Sequence, residues 1–260
     1  MGAAVDALAA AGCDTPRLDA ELLIADALGI DRAALIADPD RAVPPAAARV
    51  IGERVRRRVM REPVAYILGR QAFRRIELSV DPRVLIPRPE SELLVEVALE
   101  LPARASVHDV GTGSGAIALA IKDERPDLTV SGSDISSDAI EVARANATAL
   151  GLEVTFSVQA GAPTPNSQLP TLLIANLPYV RTDEWAGLQP EIRLHEPRSA
   201  LVAGADGLDA IRDLVARAPA GTRLALEHAP AQAAAVRELL VSAETRVDLA
   251  GRERVTLGSA

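Results

Sequence analysis

From Pro89 to the carboxy terminus, short apolar runs rich in β-branched residues alternate with stretches that repeat at helical spacing. The strand-like runs fall at 106–110, 128–133, 153–158, 170–175, 222–227 and 245–249, with a last one near 253–257. ESELLVEVALEL, GAIALAIKDE, SDAIEVARANATAL, GLDAIRDLVARA and AQAAAVRELLVSA fill most of the gaps. A run that is apolar throughout has to be covered on both faces, and parallel strands need a crossover long enough to hold a helix. The alternation therefore restricts this region to an α/β fold with a mostly parallel sheet between two layers of helix. In such sheets ligands gather at the strand ends, so the residues just after each run are where chemistry is sought.

The region before it reads differently. The first 60 residues are helical in pattern: in RLDAELLIADALGI, Leu18, Leu22, Ala25 and Leu28 recur at three and four residues as one apolar stripe, with Gly29 as a stop. Pro44 and Pro45 open a further helix through ARVIGERVRRRVMR until Pro63. FRRIELSVDPRVLI then shifts to a strand pattern around the turn signal Asp81-Pro82, which predicts a hairpin. The expected organisation is a helical domain at 1–71, a β-hairpin linker at 72–88 and an α/β domain at 89–260.

With 48% hydrophobic content, 260 residues can bury one substantial core with a smaller module beside it. Residues 1–88 carry 14 Arg against 12 acids, and residues 89–260 carry 14 Lys and Arg against 24 acids. That balance, with 2% aromatic content, argues against direct nucleic-acid binding, which needs neutralised phosphates and stacking surfaces. Arg54, Arg56, Arg57, Arg58 and Arg61 form the densest basic cluster, readable as a solvated helix face or as a docking surface. A single cysteine, Cys13, excludes internal disulfides and suggests a reducing compartment. LAAAGC lacks the preceding basic residue of a lipoprotein signal, and no run approaches the ~18 apolar residues of a membrane span. A cytoplasmic protein without a membrane partner is expected.

The first strand-like run ends in Asp109, followed by Gly111, Thr112, Gly113, Ser114 and Gly115. Glycines there permit a tight turn whose backbone approaches a ligand closely, although glycine turns also serve plain helix–strand packing. The second run ends near Asp134, an acid able to accept from a ribose diol or to cap the following helix. The fourth run, LPTLLIA, leads into Asn176, Leu177, Pro178 and Tyr179. Together these elements point to a nucleoside-bearing cofactor. Their order resembles the amino-methylating class of S-adenosylmethionine-dependent methyltransferases, in which Asn-x-Pro-Tyr meets a planar NH₂ group. Such a nitrogen is a poor nucleophile and has to be aimed: the Asn176 side-chain carbonyl and a turn carbonyl, that of Leu177, would accept its two hydrogens. Pro178 would stiffen the turn and Tyr179 would offer a flat face.

LDAELLIADALG, REPVAYILGRQAF, LIPRPESELLVE, DVGTGSGAIALAI, the NLPY turn, HEPRSALVAGADGLDAIR and DLAGRERVTLG together resemble the release factor glutamine methyltransferases, the HemK or PrmC family, over nearly the whole chain. The resemblance implies a Rossmann-like class I methyltransferase sheet of seven strands with an amino-terminal helical bundle and a connecting β-hairpin. It implies methyl transfer from S-adenosyl-L-methionine to the glutamine amide nitrogen of the Gly-Gly-Gln loop in class 1 peptide chain release factors, which the amino-terminal domain would grip. Carried over, Asp109, Gly111 to Gly115, Asp134, Gly161 and Asn176 contact the cofactor, Asn176 to Tyr179 hold the glutamine, and no metal is involved. Arg88 and Glu90 line the same mouth or serve the domain link. His108, His195 and His228 show no metal spacing and are expected to pack or cap locally. Glu227, ending the fifth run, is an acid without an assigned role. Two positions depart from the family: Leu177 replaces a proline, and Ala160-Gly161 stand where an acid and often an aromatic embrace the adenine. The alternatives are a glutamine methyltransferase of a ribosomal protein, a catalytically degenerate factor-binding homologue, and an adenine methyltransferase, the last opposed by the charge balance.

Overall fold

The computed structural model of the chain describes residues 1–38, 40–161 and 170–260. Leu169 of the apolar run before Asn176, and 162–165 of the stretch after the third strand, lie outside them. The described residues form two units, Met1–Arg70 with Leu188–His195, and Gln71–Gly187 with Glu196–Ala260.

The first unit holds α1 (Gly2–Ala10), α2 (Pro16–Leu28), α3 (Arg32–Ala37), α4 (Pro45–Val59) and α5 (Val64–Leu68). Pro16 and Pro45 sit in the first helical turn, where a missing N–H costs nothing. Gly29 ends α2 in the left-handed conformation, the stop expected of it. The face of α2 differs from the expected stripe: Ala20, Leu23, Ile24 and Ala25 are buried together with Asp19 and Glu21, while Leu18 is exposed. The acids turn inward because arginines meet them there, Arg58 at Asp19 and Arg17 and Arg32 at Glu21.

The second unit begins at Gln71, within β1 (Arg70–Phe73), which forms with β2 (Ile76–Ser79) a two-stranded sheet joined through Arg74-Arg75. The turn signal at Asp81-Pro82 makes a separate turn, Val84 N–H donating to the Asp81 carbonyl at 3.1 Å, and does not close the hairpin. Phe73, Ile76 and Leu78 join the main core, so the hairpin is anchored to this unit by burial. Then follow α6 (Glu92–Leu99), β3 (Ser106–Val110), α7 (Ala116–Glu124), β4 (Thr129–Asp134), α8 (Ser137–Leu150), β5 (Thr155–Val158) and β6 (Leu172–Ala175). After α9 (Pro190–His195), which belongs to the first unit, come α10 (Asp209–Arg217), β7 (Arg223–Glu227), α11 (Ala233–Glu238), β8 (Val241–Val247) and β9 (Glu253–Ser259). The last helix is shorter than AQAAAVRELLVSA suggested, because its final residues, Val241 to Ala243, belong to β8, with Val241 opposite Ser259 of β9.

The seven strands lie in the order β5-β4-β3-β6-β7-β9-β8, all parallel except β9, which runs antiparallel to both neighbours. All four residues of β6 are buried, as a strand covered on two faces requires. Ile174 packs with α6 and α7 on one side, and Leu173 and Ala175 pack with α10 and α11 on the other. Each buried leucine or isoleucine contributes about 1.5–3 kcal/mol by leaving water. Strand order reverses direction between β3 and β6, the switch point at which an open α/β sheet offers a crevice.

The arginine cluster at and just beyond the end of α4 is ion-paired within the helical unit, with Arg58 buried and Arg54, Arg57 and Arg61 partly buried, which corrects the solvated-face reading. Arg58 is 6% exposed and bridges Asp19 of α2 and Glu191 of α9, at 2.7 Å each. Arg61 shares Glu191 and also donates to the Ala11 carbonyl, Arg54 pairs with Asp26, and Arg57 pairs with Glu62. Arg56, bonded to Glu53, keeps the exposed position the cluster was expected to have. Removing a buried partner strands the other charges, at a typical cost of about 3–5 kcal/mol. Arg58→Ala should accordingly lower the stability of the helical unit by that order in denaturant titration followed by circular dichroism. An unchanged midpoint would show that Asp19 and Glu191 do not depend on it.

Candidate active site

The turn after β3 is built by three hydrogen bonds that only a glycine-rich backbone can accommodate. Gly111 and Thr112 N–H both donate to the Ser133 carbonyl at 2.8 and 2.9 Å, which locks the turn to the end of β4. Gly113 N–H donates to Asp134 Oδ2 at 3.0 Å, while Asp134 Oδ1 accepts from Ser136 N–H at 2.9 Å. Gly111 and Gly113 take φ of 73° and 55°, in the left-handed region. A Cβ on Gly113 would meet nothing within 4 Å, so the backbone there is open to a ligand. The capping alternative for Asp134 is filled by Ser136, whose Oγ accepts from Ala139 N–H at 3.2 Å.

A cavity of about 730 Å³ opens at the carboxy ends of β3, β4, β5 and β6. Gly111 and Gly113, then Asp134 to Ser136, then Gln159 to Gly161, then Asn176 to Pro178 line it in strand order, and Asp209 and Asp213 of α10 close another side. A smaller recess of about 30 Å³ shares Asn176 and Leu177 with it and is lined further by Arg88, Tyr179 and Val180. Of the expected cofactor residues, Gly111, Gly113, Asp134, Gly161 and Asn176 are therefore brought together. Asp109, Thr112, Ser114 and Gly115 stand behind the lining: Thr112 Oγ1 donates to Asp109 Oδ2 at 2.6 Å, the Ser114 carbonyl accepts from Asn146, and Gly115 packs against Phe156 and Leu119.

Asn176 leaves β6 with its amide oriented. Its Nδ2 donates to Ser91 Oγ at 2.8 Å, so its Oδ1 is the end left for another partner. The next turn residues are held from outside: Gln232 Nε2 donates to the Tyr179 carbonyl at 2.9 Å, and a Cβ on Gly207 would stand only 2.1 Å from the same oxygen. Burial raises the Tyr179 phenol to about 12, with nearby Glu227 adding to it. Glu227 is 1% exposed, and neither of its oxygens closes a hydrogen bond among the described residues. Burial raises its carboxyl to about 7, with the neighbouring Ser91 hydroxyl, Arg254 and the Tyr179 hydroxyl pulling it back down. Ser91, Gln232 and Gly207 were missed by sequence reasoning, because each meets the turn from a distant segment and no local spacing marks it.

Arg88 reaches the recess and pairs with Glu196, whose other oxygen accepts from Ile86 N–H; Glu90 faces Arg252 and Arg254 instead. His108 lies between the Ser131 and Ser133 hydroxyls at 2.8 and 2.9 Å, and burial lowers it to about 4. His228 meets Thr256 Oγ1 at 2.8 Å. Both pack locally, as expected. Among the described residues no cluster of His, Cys, Asp or Glu could hold a metal, and no helix is long and apolar enough to cross a membrane.

Strand order, glycine turn and the Asn-Leu-Pro-Tyr turn define a class I methyltransferase. Residues 89–188 match the methyltransferase small domain family and residues 2–69 match the PrmC N-terminal domain. Release factor glutamine methyltransferases from Deinococcus radiodurans, Xylella fastidiosa and Pseudomonas aeruginosa are 40%, 42% and 44% identical to it. The alignments cover 95%, 99% and 94% of this chain and 92%, 98% and 94% of those proteins. The chain therefore belongs to the release factor glutamine methyltransferase family. Among solved structures, the hMettl16 catalytic domain is 15% identical, with a TM-score of 0.53 over 69% of this chain and 74% of that one. The T. thermophilus 16S rRNA N2 G1207 methyltransferase is 17% identical, with a TM-score of 0.51 over 73% and 49%. At these identities the two share the fold.

Asp109 is fully buried with one oxygen unpartnered, and burial raises it from 3.8 to about 7; the Thr112 hydroxyl opposes that rise. A folded-state value above the unfolded one means that its contribution to stability is full below 3.8 and is lost as pH rises through about 7. Asp109→Asn, which can still accept from Thr112, should therefore gain in melting temperature relative to the wild-type chain between about pH 5 and pH 8. A difference that stays constant across that range would place the neutral form elsewhere.

Proposed function

We propose that this protein transfers a methyl group from S-adenosyl-L-methionine to the side-chain amide nitrogen of the Gly-Gly-Gln glutamine in class 1 peptide chain release factors, in the cytoplasm. The observation that carries the reading is an Asn176 amide with its nitrogen held and its oxygen left at the cavity, in a chain akin over nearly its whole length to release factor glutamine methyltransferases. A cavity of about 730 Å³ suits a nucleoside-sized ligand, and the open Gly113 backbone with the Asp134 carboxylate beside it fits a ribose. When bound, the cofactor supplies an electrophilic methyl on a sulfonium, whose carbon–sulfur bond breaks as the amide nitrogen gains the methyl and then loses a proton to water.

The chain's own residues hold and aim. Gly111 and Gly113 present backbone to the cofactor from the front of the turn, while Asp109, Thr112, Ser114 and Gly115 keep that turn rigid. Asp134 meets the ribose hydroxyls with the lone pairs that Gly113 and Ser136 leave free. After β5, Gln159, Ala160 and Gly161 line the cavity without a carboxylate, so the adenine end relies on shape and backbone. Asn176 Oδ1 and the Leu177 carbonyl accept the two amide hydrogens of the substrate, and Tyr179 stacks on the planar group from the recess. The leucine at 177 keeps the carbonyl that this role needs, so replacing the family's proline leaves the aiming intact. The amino-terminal unit binds elsewhere on the same release factor and raises the local concentration of its loop.

Incubation with cofactor and an intact class 1 release factor should add one methyl group by mass spectrometry, and none when the loop glutamine is alanine. Methylation that persists on the alanine variant would move the target to another protein, such as a ribosomal one. In the same assay Asn176→Ala should lower turnover about 100-fold and leave cofactor affinity nearly unchanged, because aiming is expressed in the transition state. Loss of cofactor binding with turnover preserved at saturation would remove Asn176 from the substrate.

A further inference from the structure

The buried carboxylate of Glu227 has the Ser91 and Tyr179 hydroxyls as its neighbours, and Ser91 in turn meets the Asn176 amide. Glu227 closes β7 at 1% exposure, Ser91 ends the short helical turn Pro89–Ser91 just before α6 at 3% exposure, and Ser91 Oγ accepts from Asn176 Nδ2 at 2.8 Å. The Ser91 hydroxyl has one proton to give, and Glu227 is the acceptor near enough to be affected by it. An ionised carboxylate can only accept. While Glu227 is charged, the Ser91 proton is drawn to it, Ser91 Oγ offers lone pairs to Asn176, and the amide has to turn its nitrogen inward and its oxygen to the cavity. Were Glu227 to carry a proton, it would donate to Ser91 Oγ and free the Ser91 proton for Asn176 Oδ1. The amide would then reverse and present NH₂ to a substrate NH₂.

We propose that Glu227 and Ser91 are positioning residues: the Glu227 carboxylate, acting through the Ser91 hydroxyl, fixes which end of the Asn176 amide faces the glutamine. The inference rests on Asn176 as the residue that holds the substrate amide. The groups around Glu227 are consistent with a charge that is held but conditional. Arg254 of β9 favours the carboxylate and Glu90 opposes it, while Tyr179 faces it from the turn after β6. Arg254 is itself shared with Asp248 and Glu90, so it does not neutralise Glu227 alone. With the carboxyl raised to about 7, turnover should rise with pH through that value, since the deprotonated form gives the productive orientation.

The test compares Glu227→Gln, Ser91→Ala, Ser91→Thr and Asn176→Ala in the full chain with an intact release factor. A glutamine at 227 can offer oxygen or NH₂ and so loses the one-way instruction. Glu227→Gln and Ser91→Ala should each lower kcat about 10- to 100-fold, abolish the acid limb of the kcat–pH profile and leave calorimetric affinity for S-adenosylhomocysteine unchanged. Ser91→Thr, which keeps the hydroxyl, should restore both. By nuclear magnetic resonance, the protection of the Asn176 side-chain NH₂ from hydrogen exchange, relative to a free amide at the same pH, should change near pH 7 in the wild-type chain and stay constant in Ser91→Ala. If Asn176→Ala retains its turnover, the underlying assignment of Asn176 falls. If Asn176→Ala fails while Ser91→Ala keeps the wild-type kcat, or keeps the acid limb, the positioning role falls alone. Should Glu227→Gln not fold, the Ser91 pair and the exchange measurement decide by the same criteria.

Discussion

The parallel pairing of β3 with β6 is the constraint on which the site depends. Asp109 lies beside Ile174 and Val110 beside Ala175, so the two strands end level and their turns leave the sheet together. The closeness is tight enough to dictate sequence: a Cβ on Gly111 would fall 2.9 Å from Leu177 Cδ2 and 3.9 Å from the Asn176 carbonyl. On the other side, Val110 pairs with Ser133, whose carbonyl then takes the N–H groups of Gly111 and Thr112. One register thus places the glycine turn, Asp134 and Asn176 around a common cavity. Shifting β6 by a single residue would reverse the faces of its buried side chains and carry Asn176 away from Gly111.

Acids at neighbouring strand ends behave differently because their partners differ. Asp134 accepts two backbone N–H bonds and stays half-exposed at the cavity, which leaves further oxygen lone pairs for a ligand. Asp109 and Glu227 are sealed behind the lining, and burial makes their charge conditional. The cavity itself is edged by Asp134, Asp138, Asp209 and Asp213 with Arg83 on the rim. A surface of that sign favours a cationic sulfonium and repels a phosphate backbone.

Residues whose role is set by local geometry were readable in the sequence, and those whose role is set by a distant partner were not. Strand and helix alternation after Pro89 yields the sheet, since period and burial follow from the chain itself. Gly29, Pro45 and the glycines at 111–115 announce their conformations because φ and the missing N–H are local properties. The hairpin turn at Arg74-Arg75 was hidden: Arg74 takes φ of 52° without being glycine, and its guanidinium is held by Glu124, about fifty positions away in sequence. The buried face of α2 was misread for the same reason. Asp19 looks like a solvent residue until Arg58 supplies its partner from α4. Glu227 was visible as an acid ending the fifth run, but its role was not, and Ser91 stood out only once its hydroxyl met the Asn176 amide 85 positions away.

The same logic explains why family boundaries and compact units disagree. The PrmC N-terminal domain ends at residue 69 in sequence, yet the helical unit includes Leu188–His195. Glu191 supplies one carboxylate to both Arg58 and Arg61, and Gln189 donates to Asp14, so the segment satisfies charges and polar groups that residues 1–70 leave open. A buried arginine facing Asp19 alone would keep donors without acceptors, each costing about 1–3 kcal/mol. The helical unit is thus completed by eight residues that the chain reaches only after building most of its parallel sheet, and these follow the Asn176 turn by about a dozen positions in sequence.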